Sequence, residues 1–277
     1  GWKGLGHQIG VWAGGRLEPR PLPVMGGNYA TVSGFTTYGI LWLDREGRRF
    51  CNETFGGPEL AFQPATQMPQ GTFYNIFDEH ILEDLEWAVP AHGGFDQLDP
   101  NSIQALRQIM DNAAAHPQGS PDSMRPMREA FHFNYVADNI YSGLTPEELV
   151  KNAGLPEPVA RNAVDAIERY DQLCGKKRDD DFGKDSKLLR PLSGRLFLQK
   201  SEQRGNLGSM LTTVGGFVTD RYQNVLDHSY EPIPGLYASG NCCGRRFGPM
   251  YTTPIAGLSI SMALTLGREV GRTIACL

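Results

Sequence analysis

Residues 235–271, "GLYASGNCCGRRFGPMYTTPIAGLSISMALTLGREVG", constrain the fold more than any other part of the chain. The stretch opens as a strand, breaks at glycines, and closes on a helix built of Ala, Ser, Leu and Gly. "GLYASG" reads as a buried strand of parallel type, which the chain leaves sharply at Gly240. A loop then runs through Gly244 and Gly248 to Pro254. Small side chains let the following helix approach another backbone or a flat ring closely. Its first amides, near Ala256, Gly257, Leu258 and Ser259, lack intrahelical acceptors and carry partial positive charge. From the residues alone two readings stand. Either the helix packs on a sheet with no ligand, or its start faces a flat group that becomes anionic on reduction.

The 277 residues are enough for one large domain or two ordinary ones. With 40% hydrophobic and 21% charged residues, the composition is that of a soluble globular protein. A net charge of -5 with no basic block argues against nucleic acid or an anionic membrane surface as partner. The apolar stretches are shorter than a membrane span. Cys51, Cys174, Cys242, Cys243 and Cys276 are odd in number and form no CxxC pair, so neither a disulfide framework nor a zinc knuckle is expected. The adjacent Cys242 and Cys243 read as small buried side chains. No histidine, His7 and His228 included, has metal-ligand spacing.

Local patterns divide the chain into ends and middle. In "GLGHQIGVWA" Leu5, Ile9 and Trp12 recur at helical spacing. "GILWLDREGRRF" reads as a hairpin turning at "DREG", and residues 73–77 as a short strand. A helix is predicted over 101–115. Another follows Thr145, with Pro146 in its first turn and Glu148 completing a capping box. A third covers 157–174, with Val159, Ala163, Ile167 and Tyr170 on one face. Beyond 195 strands dominate. The expected class is α+β. A cap of mixed helices and short antiparallel strands, residues 25–195, is inserted between 1–24 and 196–277, which build another domain.

Four blocks, in order, resemble the flavoproteins of the fumarate reductase and succinate dehydrogenase family. They are "GLGHQIGVWAGGRLEP", "GILWLDREGRRFCNE", "IERYDQLCGKKRDDDFGK" and "TTVGGFVTDRYQNVLDHSYEPIPGLYASGN" with "GLSISMALTLGREVG" after it. Ketosteroid dehydrogenases are relatives. The resemblance implies that 1–24 and 196–277 are parts of a Rossmann-like FAD-binding domain and that 25–195 is the substrate cap. It implies hydride transfer between FAD and an activated C=C or C–C bond of a small molecule. It also implies that Gly215, Gly216, Gly240, Asn241, Ala256, Gly257, Leu258 and Ser259 face the cofactor. The strand–GxGxxG–helix unit that holds the ADP half of FAD in such folds does not occur in this sequence, since nothing before "GLGHQI" can form its strand.

Gly57, Thr212 and Tyr251 stand where the resemblance places the fumarate reductases' arginine acid, histidine and substrate arginine. Fumarate is therefore not the expected substrate; an enone or another unsaturated acid is. Tyr251 resembles the tyrosine of the ketosteroid enzymes, where a phenol polarises a carbonyl, and otherwise reads as loop packing. Arg245 and Arg246 are candidates for a substrate carboxylate, or for solvent, and Thr212 is a third candidate substrate contact. Glu53 is expected to order the cap. The alternatives are a flavin- or ligand-binding protein with decayed catalysis, or an inactive fragment that loses FAD. An electron donor is implied, and self-association is expected where half a flavin domain leaves apolar surface uncovered.

Overall fold

The structure is a computed structural model and describes residues 3–20, 22, 24–25, 40–54, 72–84, 100–119, 125–126, 129, 139–202, 212–248 and 257–276. In chain order the elements are α1 (Leu5–Trp12), β1 (Val24–Met25), β2 (Leu41–Asp44), β3 (Thr72–Asp78), α2 (Ile81–Asp84), α3 (Pro100–Ala115), β4 (Ile140–Gly143), α4 (Pro146–Asn152), α5 (Val159–Lys176), β5 (Leu196–Glu202), β6 (Thr212–Thr213), β7 (Asn224–Leu226), β8 (Pro232–Tyr237) and α6 (Leu258–Ala275). They fall into two compact units, Gly27–Leu207 and Gly1–Gly26 with Gly208–Leu277.

The middle unit is an antiparallel sheet in the order β2-β3-β5-β4. Successive side chains of a strand point to opposite faces, and here both faces are covered. Ile40, Trp42, Phe77, Ile140 and Phe197 pack with Leu106, Ile109 and Ala113 of α3. Leu41, Leu43, Ile76 and Leu198 pack with Leu149 of α4 and Ala163, Ile167 and Tyr170 of α5. That is why "ILWL" is an unbroken apolar run whose four residues are all fully buried. Each such side chain contributes about 1.5–3 kcal/mol through its burial.

Helix α4 starts where the sequence signals it. Thr145 accepts a hydrogen bond from the Glu148 amide, and the Glu148 carboxylate accepts one from the Leu144 amide, either side of Pro146. The hairpin turn is held by Asp44, whose Oδ1 accepts from the amides of Glu46 and Arg48. Gly47 sits at φ 80, and a Cβ there would lie 2.4 Å from the Val159 carbonyl, so the turn rests directly on α5.

One boundary differs from the expectation. Residues from 196 onward read as the C-terminal segment, yet Leu196–Glu202 is β5, paired along its whole length with β3 and also with β4. A strand's alternation shows its faces but not its partners, and these partners lie far away in sequence.

The second unit departs twice. Leu5, Ile9 and Trp12, read as the apolar face of α1, are exposed, Trp12 by 76%. The packed face is made of glycines: a Cβ at Gly10 would lie 2.2 Å from the Phe217 ring and one at Gly6 2.8 Å from Cys242 Sγ. "GLYASG" is not a buried parallel strand. Pro232–Tyr237 pairs antiparallel with β7 and is largely exposed, and only Ile233, Leu236 and Ala238 pack toward Phe217 and Val225. Among the described residues no helix is long and apolar enough to cross a membrane.

Candidate functional site

Three separate segments of the second unit meet through a buried carboxylate. Glu18, just after α1, accepts hydrogen bonds from the Gly216 amide (2.8 Å) and the Arg245 amide (2.7 Å). The Glu18 amide donates back to the Gly216 carbonyl. Charge-assisted bonds of this kind are among the stronger ones in proteins. Phe217 donates to the Cys242 carbonyl and accepts from the Gly244 amide, each at 2.8 Å. These contacts bring the Gly215–Phe217 stretch against the Asn241–Arg246 loop. Nothing in the sequence marks Glu18, because its partners lie 198 and 227 residues away.

The glycines predicted at the site have distinct reasons to be glycine. A Cβ on Gly216 would lie 2.0 Å from the Cys242 carbonyl oxygen, so that face is filled by the protein's own backbone. Gly240 sits at φ 58, where its missing side chain admits Ala263 of α6, and Gly257 caps α6 at φ 75, with no described atom within 4 Å of where its Cβ would be. The first bond of α6 is Ser261 N to Gly257 O, which leaves the amides of Leu258, Ser259 and Ile260 without intrahelical acceptors. Ser259 is buried. Gly215 accepts from His7 at 2.8 Å, so Nε2 of His7 carries the proton, and the His7 ring stacks on Phe217.

The two neighbouring arginines part company. Arg245, at φ 60, gives its amide to Glu18 and leaves its side chain exposed. Arg246 turns inward. Its Nε donates to the Cys243 carbonyl (2.9 Å), and its Nη2 donates to the Val214 carbonyl (3.1 Å) and to Asn241 Oδ1 (3.3 Å). Cys242 and Cys243 are free thiols, and burial pushes the Cys242 thiol up. The backbone of Thr212 pairs with Met25, and its side chain lies outside the described residues. Tyr251, Ala256 and Gly57 also lie outside them. Among the described residues no cluster of His, Cys, Asp and Glu could hold a metal.

The middle unit holds a second charged centre. Glu53 and Asp179 each take two hydrogen bonds from Arg49, and Lys184 Nζ reaches Glu53, Tyr170 Oη and the Ile40 carbonyl. Burial lowers the Lys184 pKa, Arg49 lowers it further, and Glu53 opposes both. Burial alone would raise Asp179, but hydrogen bonds from Arg49 and from the Lys184 and Phe182 amides outweigh it and bring it to about 2. The centre ties the end of the hairpin to the segment after α5, which is the ordering expected of Glu53.

Residues 1–258 match the family described as FAD binding domain. A vinyl phenol reductase of Lactiplantibacillus plantarum is 32% identical over 85% of this chain and 43% of its own length. A 4-oxocyclohexanecarboxylate 2-dehydrogenase of Sinomonas cyclohexanicum is 27% identical over 86% of the chain and 37% of its own. The chain thus spans about two fifths of these relatives. Among solved structures, 3-ketosteroid delta1-dehydrogenase of Sterolibacterium denitrificans, in complex with 1,4-androstadiene-3,17-dione, superposes with TM-score 0.58 at 22% identity over 99% of this chain and 46% of that one. The match over 1–258 covers both units and the loop pinned by Glu18, so this chain belongs to the FAD binding domain family.

Proposed function

We propose that the full-length protein is an FAD-dependent oxidoreductase that transfers hydride to or from an activated carbon–carbon bond of a small organic substrate, an enone or an unsaturated acid other than fumarate. The observation that carries this reading is the family match running through the glycine loop into α6, whose first amides after the capping residue Gly257 have no intrahelical acceptors. That arrangement fits an anion-tolerant edge of a flat ring. FAD, when bound, supplies the hydride acceptor and donor.

The chain's own residues then divide the work. Gly240, Gly257 and the Leu258 and Ser259 amides receive the ring, with Ala256 and Gly215 beside them. Gly216 permits the loop packing that brings Gly215 to the ring. Asn241 contacts the cofactor's side chain. Tyr251 donates a hydrogen bond to the substrate carbonyl, which polarises the conjugated bond. Arg245, an exposed residue whose guanidinium lies over the Tyr230 ring, serves a substrate carboxylate together with Thr212, while Nε and Nη2 of Arg246 are committed to protein acceptors. The relatives named as a reductase of vinyl phenol and a dehydrogenase of an oxocyclohexane acid support chemistry on conjugated or carbonyl-activated carbon. The exposed Leu5, Ile9, Trp12, Ile260 and Leu264 support self-association of the 277-residue chain, which gel filtration reads directly.

The test is anaerobic. The reduced full-length protein is mixed with enones, unsaturated acids, vinyl phenols and fumarate, and the return of the flavin band is followed. Recovery with one conjugated class, and not with fumarate, is expected. Recovery only on admitting oxygen would refute the proposal.

A further inference from the structure

We infer that Arg246 is a positioning residue for the cofactor: it sets the side-chain amide of Asn241. The inference rests on the reading that Asn241 contacts FAD. A guanidinium donates and never accepts. The Asn241 atom that faces Arg246 Nη2 at 3.3 Å is therefore its carbonyl oxygen, and Nδ2 is the end left to meet a ligand oxygen.

Arg246 can impose this orientation because it is anchored independently of Asn241. Its Nε bond to the Cys243 carbonyl and its Nη2 bond to the Val214 carbonyl both go to main chain. Those carbonyls belong to the two segments that Phe217 and Glu18 hold together, next to Gly215 on one side and Asn241 on the other. A free asparagine amide presents either end about equally well; this one is held with its oxygen on Arg246. The site therefore favours a ligand group that accepts hydrogen bonds, such as a hydroxyl or phosphate oxygen, over one that can only donate. Lysine at 246 could not reproduce the geometry, since a single ammonium nitrogen cannot stand where both Nε and Nη2 of the planar fork stand.

The experiment is a double-mutant cycle on FAD affinity, read by flavin-fluorescence quenching as the full-length protein, stripped of flavin, is titrated with FAD. Asn241→Ala is expected to raise the Kd about tenfold, the loss of one oriented hydrogen bond. Arg246→Met should raise it by a similar factor alone, and by less than about twofold on top of Asn241→Ala. If the two factors multiply, Arg246 acts through the loop and not through Asn241, and the inference is overturned. If Asn241→Ala leaves the Kd unchanged, the flavin reading of Asn241 itself is refuted. Should Arg246→Met fail to fold, Arg246→Lys goes through the same cycle with the same expected pattern.

Discussion

Replacing Glu53 by glutamine keeps its volume and removes one of four charges from a buried group. Arg49 and Lys184 are balanced there by Glu53 and Asp179, and the side chains are 7%, 0%, 0% and 0% accessible. The Glu53 carboxylate takes Arg49 Nε at 2.8 Å, Arg49 Nη2 at 2.9 Å and Lys184 Nζ at 3.3 Å. Glutamine has a single acceptor oxygen, so its NH2 must face a cation, and a net positive charge remains with little access to water. Breaking a buried ion pair from one side costs about 3–5 kcal/mol. For a cooperative unit of the size of residues 27–207 that is a fall in Tm of roughly 6–20 °C. The assay is scanning calorimetry of the 277-residue chain. The control is Asp181→Asn, which breaks a pair with Arg169 whose side chains are 32% and 41% accessible. Exposed pairs contribute under about 1 kcal/mol, so this variant should move Tm by no more than about 4 °C. Equal shifts in the two variants would refute the claim that burial makes the Glu53 centre matter.

Asp179 links the same centre to acid. Its pKa falls from 3.8 to about 2 on folding, so its stabilisation is complete above the unfolded value and is lost as pH falls toward 2. About 2 kcal/mol should disappear across that window, and urea midpoints measured through it should show a flatter slope in Asp179→Asn. Gly216→Ala puts a Cβ 2.0 Å from the Cys242 carbonyl and should unfold the second unit, whereas Gly271→Ala, with nothing within 4 Å, should raise helix stability by up to about 1 kcal/mol; hydrogen exchange of the Phe217 and α6 amides reads both. Tyr251→Phe in the full-length protein should slow substrate-driven reoxidation roughly tenfold or more, and an unchanged rate would return Tyr251 to packing.

Much of the middle unit could be read without coordinates because its signals are local. The capping box at Thr145, the face of α5 and the turn at Gly47 each depend on residues a few positions apart. The place of β5 depends on pairing between residues 72–78 and 196–202, and no local pattern carries that. The failure at α1 has another cause. Helical periodicity ranks faces by hydrophobicity, but this helix packs by proximity, with Gly6 and Gly10 admitting Cys242 and Phe217 so closely that no larger residue fits. A pattern that counts apolar side chains is blind to a face defined by their absence.

The candidate site shows the same limit at the scale of single side chains. Arg245 and Arg246 are the same residue type in adjacent positions of one loop, and nothing in the sequence separates their roles. What separates them is Glu18, 227 residues from Arg245. By binding the Arg245 amide, Glu18 helps hold that residue at φ 60, a conformation a non-glycine residue seldom adopts, and its side chain lies outward. The chain then turns so that the next side chain enters the loop and finds the carbonyls of Val214 and Cys243. The outward course of Arg245 and the inward course of Arg246 thus depend on a carboxylate that touches neither guanidinium in the contacts described. Glu18→Gln tests this coupling, because a glutamine can accept from only one of the Gly216 and Arg245 amides at full strength. The variant should weaken FAD binding in the full-length protein, because both oxygens of Glu18 are taken by loop amides and its effect would pass through the loop. An affinity unchanged by Glu18→Gln would mean that the loop holds its shape without the clamp.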